Sequence, residues 1–546
     1  EYINYMKLFF RADIIIKNPL NDALFPADFP SPHFEWISQS GYKGKWLIEL
    51  RNHDGTKIVN VIDDNHWQPS KDEWERIKKI NAGKNIRLKI NKYGQNLRSK
   101  SVVFSISKDS VGAPVLYRRM PLPFSYAEKH LDSMDFVLID FSSYENPHIA
   151  MRGFPVCGNC HSLTANGSTI GVDLDAGMRD KGGYFISNIG DTVFFSDSNY
   201  MSWTRIENRR TFGLFSKISP DGRYIVTTVE DKVMNHVFPF EPAHIAFSQI
   251  FFPVNGKLAV YDRIKKELHE LPGANLDEYV QSNAIWSPDG KYIIFCRAPA
   301  LPYSIDSGMI NVKDENIAKE FLTKKRKLKY DICKIPFNEG KGGKAEPIIG
   351  ASNNGKSNYF PAISPDGKWV VFCQSDNYML LQPDSRLFIV PFKGGKSQLL
   401  KCNLSKMNSW HAWSPNGKWI AFVSKGLSIY TDLFLTHIDE KGNASVPVLV
   451  DRARSFRRVV NYPEFVNIPS NKKFVMVYDY IEITHIQKAI YDNDIPKARE
   501  LYYKFIKQHH NIFPSDYHLM IKLLESMGLP EEIKKIKDLE KTKTKI

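Results

Sequence analysis

The fold of this chain is decided by a seven-residue unit that is well preserved in four places: SPDGRYI at 219–225, SPDGKYI at 287–293, SPDGKWV at 364–370 and SPNGKWI at 414–420. Two degenerate copies flank these units, TANGSTI at 164–170 and IPSNKKF at 468–474. The intervals between copies run from 50 to 77 residues, which is enough for four strands and their loops. Six copies therefore predict six four-stranded blades arranged as a β-propeller.

The unit has a local structural logic. Its Asp-Gly or Asn-Gly pair supplies the positive-φ positions of a two-residue hairpin turn, and the proline before it pre-sets the backbone. The apolar run that follows, such as KWVVFC at 368–373, predicts a strand buried between blades. Cys296 and Cys373 each lie six residues after a repeat glycine, so we expect them to pack in the core.

A second motif lies directly before the first copy of the unit. Residues 157–161 read CGNCH, which is a C-x-x-C-H motif. Two thiols at this spacing can add to the vinyl groups of a haem, and the adjacent imidazole can then ligate the iron. The motif predicts covalent haem c attached through Cys157 and Cys160, with His161 as the proximal iron ligand.

Other interpretations of this motif stay open. A zinc site would want a second Cys or His pair at close spacing, and a thioredoxin-like redox pair would want a βαβ context. The sequence provides neither. A cysteine pair that is structural or binds a metal remains the alternative to haem.

Two histidines occupy equivalent repeat positions. His161 lies six residues before Gly167, and His411 lies six residues before Gly417. Equivalent positions should point the same way relative to the propeller axis, so we expect both imidazoles to face one region near a channel mouth. His411 is therefore a candidate distal iron ligand or a ligand of a second metal ion, with Met178 and Met407 as weaker candidates. The alternative is that His411 forms a hydrogen bond to a neighbouring blade.

The repeat units resemble those of TolB-like six-bladed β-propellers over roughly residues 160–480. A C-x-x-C-H motif joined to the first blade is similar to exported members of this kind that carry a c-type haem. The resemblance implies the fold, but such propellers serve binding, scaffolding and enzyme regulation alike, so it implies no single activity.

The chain divides into three predicted regions. Residues 1–125 resemble a fibronectin type III or immunoglobulin-like β-sandwich, and residues 126–480 carry the propeller with the haem motif at its start. Residues 481–546 predict four helices and resemble a tetratricopeptide-like module. The predicted fold class is therefore mainly β, with a small C-terminal helical module that either caps the propeller or docks a partner.

The propeller should close between its two ends. Residues 135–140 (DFVLID) precede the first repeat and are apolar enough to form a strand. We predict that they pair in the same blade as residues 473–478, because joining the ends of the chain leaves no open sheet edge.

Composition and charge limit which partners and which cellular location are expected. The net charge of +14 favours an anionic partner, but lysines are spread along the chain without a nucleic-acid module, so nucleic acid is not expected. No apolar run approaches the ~18 residues of a transmembrane span. Bacteria attach haem to this motif outside the cytoplasmic membrane. We therefore expect an exported protein in the periplasm or on the outer-membrane surface, a location compatible with a lipid anchor upstream of residue 1.

Two classes of function follow. The first is an exported monohaem protein in electron transfer, redox sensing or small-ligand chemistry at the propeller mouth. The second is a periplasmic or surface scaffold that binds protein partners through propeller loops or the C-terminal helices. The 66 residues at 481–546 are too few for an α/β-hydrolase domain and hold no G-x-S-x-G motif, so peptidase activity is not expected.

Overall fold

The computed structural model describes residues 13–95, 99–127, 130, 133–153, 157–176, 180–238, 249–301, 311–380, 382–479, 483–508 and 517–543. Across these residues the protein is mainly β, and its longer helices are concentrated at the C-terminal end. None of the helices in these ranges is long and apolar enough to cross a membrane.

The N-terminal region consists of two sheets and one helix. Its strands are β1 (Ile14–Asn18), β2 (Ala23–Phe25), β3 (Phe34–Ser38), β4 (Trp46–Arg51), β5 (Lys57–Ile62), β6 (His66–Trp67), β7 (Asn85–Lys92) and β8 (Lys100–Ile106). The sheet orders are β1-β3-β6 and β2-β8-β7-β4-β5. Helix α1 (Lys71–Asn81) begins with a capping box between Ser70 and Glu73. Trp46 and Trp74 are buried in the core.

The repeat region is built from many short strands with a few short helices. Its first strands are β9 (Val115–Pro121), β10 (Asp135–Ile139), β11 (His148–Arg152), β12 (Cys157–Leu163), β13 (Thr169–Ala176), β14 (Asp180–Asn188), β15 (Thr192–Ser196), β16 (Tyr200–Ser202), β17 (Lys217–Ile218), β18 (Tyr224–Val237), β19 (Gln249–Asp262) and β20 (Glu267–Glu270). The next are β21 (Tyr279–Trp286), β22 (Tyr292–Pro299), β23 (Asn311–Val312), β24 (Asp331–Pro336), β25 (Glu346–Pro347), β26 (Ser357–Ile363), β27 (Trp369–Ser375) and β28 (Arg386–Pro391). The last are β29 (Gln398–Leu399), β30 (Asn408–Trp413), β31 (Trp419–Ser424), β32 (Asp432–His437), β33 (Val448–Leu449), β34 (Arg458–Phe465) and β35 (Val475–Asp479). The short helices are α2 (Phe124–Ala127), α3 (Trp203–Glu207) and α4 (Glu315–Leu322).

The strands form a series of similar antiparallel sheets. Four-stranded sheets have the orders β12-β13-β14-β16, β26-β27-β28-β29 and β30-β31-β32-β33. The runs β17-β18-β19-β20 and β21-β22-β24-β25 are joined into one larger sheet by the pairing of Gly256 with Val280. We call the strand directly before each repeat unit the lead strand; the lead strands are β12, β17, β21, β26, β30 and β34.

Each preserved repeat unit forms a longer turn than its Asp-Gly pair predicts. The backbone N–H of Ser219 donates to the Tyr224 carbonyl at 2.8 Å, so four residues separate this last pair of the hairpin. Gly222 has φ +80°, whereas Asp221 is not among the positive-φ residues. The Gly222 N–H donates to the Ser219 carbonyl, and Ser219 Oγ accepts from the Tyr224 N–H. The prediction of a two-residue turn is therefore wrong, because proline and serine favour a type I turn that ends in a left-handed glycine.

The two ends of the repeat region meet in one sheet, although through a different strand than predicted. The sheet order is β11-β10-β9-β34, so residues 135–139 form the expected strand and share a sheet with residues 458–465. Strand β35 pairs instead with β15, in parallel. The prediction that residues 135–140 and 473–478 share a sheet is wrong, because β34, the lead strand before the last repeat unit, pairs with β9 in that sheet. Strand β9, which precedes the predicted boundary at residue 125, also belongs to this sheet.

The N-terminal sheets pack against the sheet β30-β33. One apolar cluster contains Trp36 from the first region and Met407 and Trp419 from the second. At its rim Asn416 Nδ2 donates to the Ser110 carbonyl at 2.9 Å. His33 contacts the carboxylate of Asp451 through both its backbone N–H and its ring Nδ1. Polar contacts between residues that are far apart in the sequence therefore help to hold the two regions together.

The His33 contact makes this junction sensitive to pH. The hydrogen bond to Asp451 raises the pKa of His33 above its ordinary value. Its stabilising contribution is therefore complete below the unfolded-state pKa of about 6.5 and is lost as pH rises through the folded-state pKa. We expect His33→Gln to lower the melting temperature more at pH 5.5 than at pH 8.5. His66→Gln, on the paired strand, is the control, and an equal loss at both pH values for His33→Gln would contradict the prediction.

The C-terminal region is helical as predicted. Its helices are α5 (Ile483–Tyr491), α6 (Ile495–Gln508), α7 (Tyr517–Met527) and α8 (Pro530–Lys543). They share one apolar cluster that includes Ile486, Ala498, Tyr502 and Leu524. Arg499 donates to the Met527 carbonyl at 2.6 Å, which ties α6 to the end of α7.

Candidate functional site

The lead strands and repeat turns line a half-open cavity of about 480 Å³. Each of the six lead strands contributes lining residues, and prolines of the repeat units form part of the wall. Trp286, Trp410 and Trp413 give the cavity an aromatic side. Lys217 and Glu464 line it as well, and Lys217 Nζ lies 2.6 Å from Glu464 Oε1. The cavity is therefore of a size and mixed character suited to a small ligand.

Two of these tryptophans join neighbouring lead strands. The indole N–H of Trp286 donates to the Lys217 carbonyl at 3.0 Å, and that of Trp413 donates to the Ala362 carbonyl at 3.2 Å. Both side chains stand four residues before their repeat glycine. The repeat thus carries a cross-sheet hydrogen bond that the motif itself does not reveal.

Removing these indole donors should weaken the ring of lead strands. We expect Trp286→Phe and Trp413→Phe each to lower the free energy of unfolding by about 1 kcal/mol more than a matched control, because a buried carbonyl loses its partner. The control is Trp410→Phe, since the Trp410 indole has no hydrogen-bond partner in the described part of the chain. Chemical denaturation measures all three variants, and equal losses would contradict the prediction.

The two equivalent histidines do not occupy equivalent environments. In lead strands β21, β26 and β30 a register shift interrupts the pairing with the next strand. It lies between the residues that are eight and five positions before the repeat glycine, which in β30 are Ser409 and Ala412. In β12 the interruption lies one residue earlier, between Gly158 and His161. A shift of one residue reverses the face to which a side chain points. His411 consequently lines the cavity, whereas the His161 ring packs against Phe136, and the expectation that both face one region is not met.

The ring of His411 is held by the neighbouring sheet. Its Nε2 lies 3.1 Å from the Val371 carbonyl oxygen, and its Nδ1 lies 3.9 Å from Cys373 Sγ. Burial lowers the pKa of His411 to about 4, so the imidazole is neutral at physiological pH. This is the neighbouring-blade hydrogen bond that the sequence left open, and it occupies the nitrogen atoms that a metal would need.

The environment of the His161 ring differs from that of the hydrogen-bonded His411 ring. It is fully buried, and within the described part of the chain neither ring nitrogen makes a well-formed hydrogen bond, although a backbone contact with Leu116 opposes the lowering of its pKa. The centroid of its ring lies 5.8 Å from that of Phe136 and 5.5 Å from that of Tyr462, both edge-on. Burial, with a smaller effect from Lys217, lowers the pKa of His161 to about 3. The side chain is therefore a neutral imidazole without a well-formed hydrogen bond to the described residues.

The thiols of the motif lie on the same strand. Burial raises the pKa of the Cys160 thiol to about 12. The side chain of Cys157 lies outside the described residues, although its backbone pairs with Asp175. Because β12 is a strand, the motif does not adopt the helical turn that places residues i and i+3 on one face.

Two charged residues near the motif were missed by the sequence analysis. Arg118 is 9% exposed, and its Nε and Nη1 have no hydrogen-bond partner. Asp173 is buried on β13, where the Ser216 N–H donates to its Oδ2 while its Oδ1 has no partner. Burial raises the pKa of Asp173 to about 8. In both cases the available signal was a charged side chain among the apolar residues of a strand, which reads VLYRRMP at Val115–Pro121 and TIGVDLDA at Thr169–Ala176.

The remaining metal candidates do not join this site. Met407 is buried in the cluster shared with the N-terminal sheets, and Met178 lies outside the described residues. Among the side chains that the structure describes, no group of three or more His, Cys, Asp or Glu residues could hold a metal ion. A second metal ion is therefore left without a described set of ligands.

Comparisons with known proteins give distant structural likenesses. No protein-family model matches the chain, and a search of curated proteins finds no match. An oligogalacturonate lyase in complex with manganese is similar at a TM-score of 0.34 and 14% identity, over 57% of this chain and 71% of its own. The Pseudomonas aeruginosa periplasmic gluconolactonase PpgL gives 0.32 and 11%, over 61% and 81%. Kuenenia stuttgartiensis hydrazine synthase gives 0.32 and 13%, over 55% and 88%. Likenesses at this level assign neither a family nor an activity to this chain.

Proposed function

We propose that the repeat region is a six-bladed β-propeller of the TolB-like kind. Six lead strands contribute to one cavity, and five of them begin antiparallel runs of four strands that lie close together in the chain. The sixth, β34, is completed by β9, β10 and β11 from the other end of the region. Such closure is expected of a propeller, because it leaves no free sheet edge. The N-terminal sheets would then form a separate β-sandwich beside the fifth blade.

We further propose that the protein is an exported c-type monohaem protein. The observation that carries this proposal is the buried His161 of the C-x-x-C-H motif, whose two ring nitrogens make no well-formed hydrogen bond to any residue that the structure describes. Buried polar groups in folded proteins nearly always have a partner, and an exception calls for an unseen ligand, ion or water. An iron atom would use one of the two nitrogens, so the imidazole of His161 fits the group that the motif predicts. The thioether bonds would require Cys157 and Cys160 to reach one face of β12, where a register shift between Gly158 and His161 adds one residue to the strand.

The residues around the motif have separate roles in this proposal. Cys157 and Cys160 would hold the haem through thioether bonds, and His161 would ligate its iron. The low pKa of His161 keeps the imidazole neutral, so a lone pair is available to a metal. Lys217 Nζ donates to the His161 carbonyl at 3.3 Å and so helps to fix this strand. When bound, such a haem supplies one-electron redox chemistry or binds a small ligand, depending on the second axial position.

A pyridine haemochrome spectrum tests the proposal. The protein is produced with an export signal in a bacterial host that attaches c-type haem. We expect one covalent haem per chain, retained through a denaturing gel and giving the spectrum of a doubly thioether-linked group. The matched control is Cys157→Ser with Cys160→Ser, in which both attachment points are removed. Exported wild-type protein without covalent haem would contradict the proposal, and so would a native protein found in the cytoplasm.

The cavity favours a second candidate function. A haem-free protein of this architecture would act as a periplasmic or surface scaffold, with ligands or protein partners bound at the cavity, the propeller loops or the C-terminal helices. The supporting observation is the aromatic and ion-paired lining of the 480 Å³ cavity. In that case C-x-x-C-H would be structural or bind a metal, and the haemochrome measurement separates the two functions.

A further inference from the structure

Arg118 is a buried cation without a described counter-charge. Its Nη2 contacts Met120 Sδ at 3.4 Å, and its other two nitrogens have no hydrogen-bond partner among the residues that the structure describes. An isolated buried charge is costly, so a folded protein normally pairs it. The nearby carboxylate of Asp135 is already engaged, since it accepts from Arg119 at 2.7 Å and from Arg458 at 3.2 Å. The charge on Arg118 therefore calls for an anion from outside the described side chains.

This cation belongs to the surroundings of the C-x-x-C-H motif. Arg118 is cross-strand from Phe136, whose ring contacts His161. Asp173 is a buried acid on β13, the strand that pairs with β12. Because burial raises the pKa of Asp173 to about 8, this acid is mostly protonated at pH 7 and offers little counter-charge.

We propose that Arg118 binds a carboxylate of the ligand held at the C-x-x-C-H motif, which in the proposed function is a propionate of the haem. This inference rests on that function for the identity of the ligand. A guanidinium is suited to the role, since it keeps its charge when buried and forms short charge-assisted hydrogen bonds with carboxylates. The ligand would then be fixed at two places, by the motif cysteines and by its acidic edge.

The test uses the haem-free protein and two iron-free porphyrins. Mesoporphyrin IX carries two propionates and no vinyl groups, so it cannot form thioethers, and its dimethyl ester lacks the free carboxylates. Binding is followed by porphyrin fluorescence at pH 7. We expect the wild type to bind mesoporphyrin IX at least about ten-fold more tightly than the ester, consistent with one buried charge-assisted hydrogen bond.

Three variants at two positions complete the experiment. Arg118→Met should weaken mesoporphyrin IX binding about ten-fold and abolish the preference over the ester, while Arg118→Lys should restore part of it. Arg119→Met is the control, because Arg119 is paired with Asp135, and it should keep the preference. Circular dichroism verifies that each variant folds. A wild type that binds neither porphyrin, or both equally, overturns the inference. Failure of haem attachment with the preference intact would instead count against the proposed function alone.

Discussion

Gly167→Ala is expected to destabilise the protein by about 2–5 kcal/mol, because a strained backbone and a steric clash are added at once. Gly167 has φ +68°, a region that costs an L-residue roughly 1–2 kcal/mol. A Cβ built there would lie 2.4 Å from the carbonyl oxygen of Asn467 and 2.7 Å from its carbonyl carbon. Both atoms belong to the backbone beyond β34, so the contact that completes the ring of sheets would have to open.

The chain offers a matched control for this substitution. Gly290 occupies the same position of its repeat unit with φ +69°, and a Cβ there would meet nothing within 4 Å. Gly290→Ala should therefore cost only the backbone term of about 1–2 kcal/mol. Denaturant unfolding of the two variants isolates the closure contact as the difference. Equal losses would show that Asn467 does not press on the first repeat turn.

The local features of the fold were predictable from the sequence. Each repeat unit indicates a strand, a turn and a further strand within a few residues, so the positions of the hairpins could be predicted directly from the sequence. The C-terminal helices also followed from their periodicity, as with α7, predicted at 515–527 and found at Tyr517–Met527. These elements depend on contacts between residues close in the sequence, which local patterns describe well.

The pairing between the two ends of the repeat region could not be predicted from local sequence patterns in the same way. Residues 458–465 (RVVNYPEF) and 473–478 (KFVMVY) lie near the end of the repeat region, and both contain the β-branched and aromatic residues typical of strands, so either could join residues 135–139. The choice depends on pairs such as Val460 with Arg119, which are more than 300 residues apart. A local pattern does not contain that information, because one face of a strand can be satisfied by many partners.

The sequence did not predict the arrangement of the candidate site, because that arrangement depends on a register shift of one residue. The sequence positions of His161 and His411 are equivalent, but the register break in β12 comes one residue earlier than in β30. A bulge is specified by packing across the sheet rather than by the repeat motif. Arg118 was missed for a related reason, since its neighbours in the fold are residues of β10 and β34 that lie far from it in the chain.

The two histidines should differ completely in their effect on a bound haem. We expect His161→Gly to change the Soret band of the covalently attached haem, because the proposed axial ligand is lost while both cysteines remain. Adding free imidazole should restore the band, since it can occupy the space left by the side chain. His411→Gly should leave the spectrum at its wild-type position, because the His411 nitrogens contact Val371 and Cys373.

Stability provides the independent readout for this pair. His411→Gly removes a hydrogen bond to the Val371 carbonyl and should lower the free energy of unfolding by about 1 kcal/mol or more, with or without haem. His161→Gly removes no well-formed hydrogen bond to a described residue, so its cost in the haem-free protein comes mainly from lost packing against Phe136 and Tyr462. A spectral change on substituting His411, together with an unchanged spectrum on substituting His161, would assign the iron to the cavity wall instead. The opposite result would place it beside β12, where the motif and the unpartnered imidazole coincide.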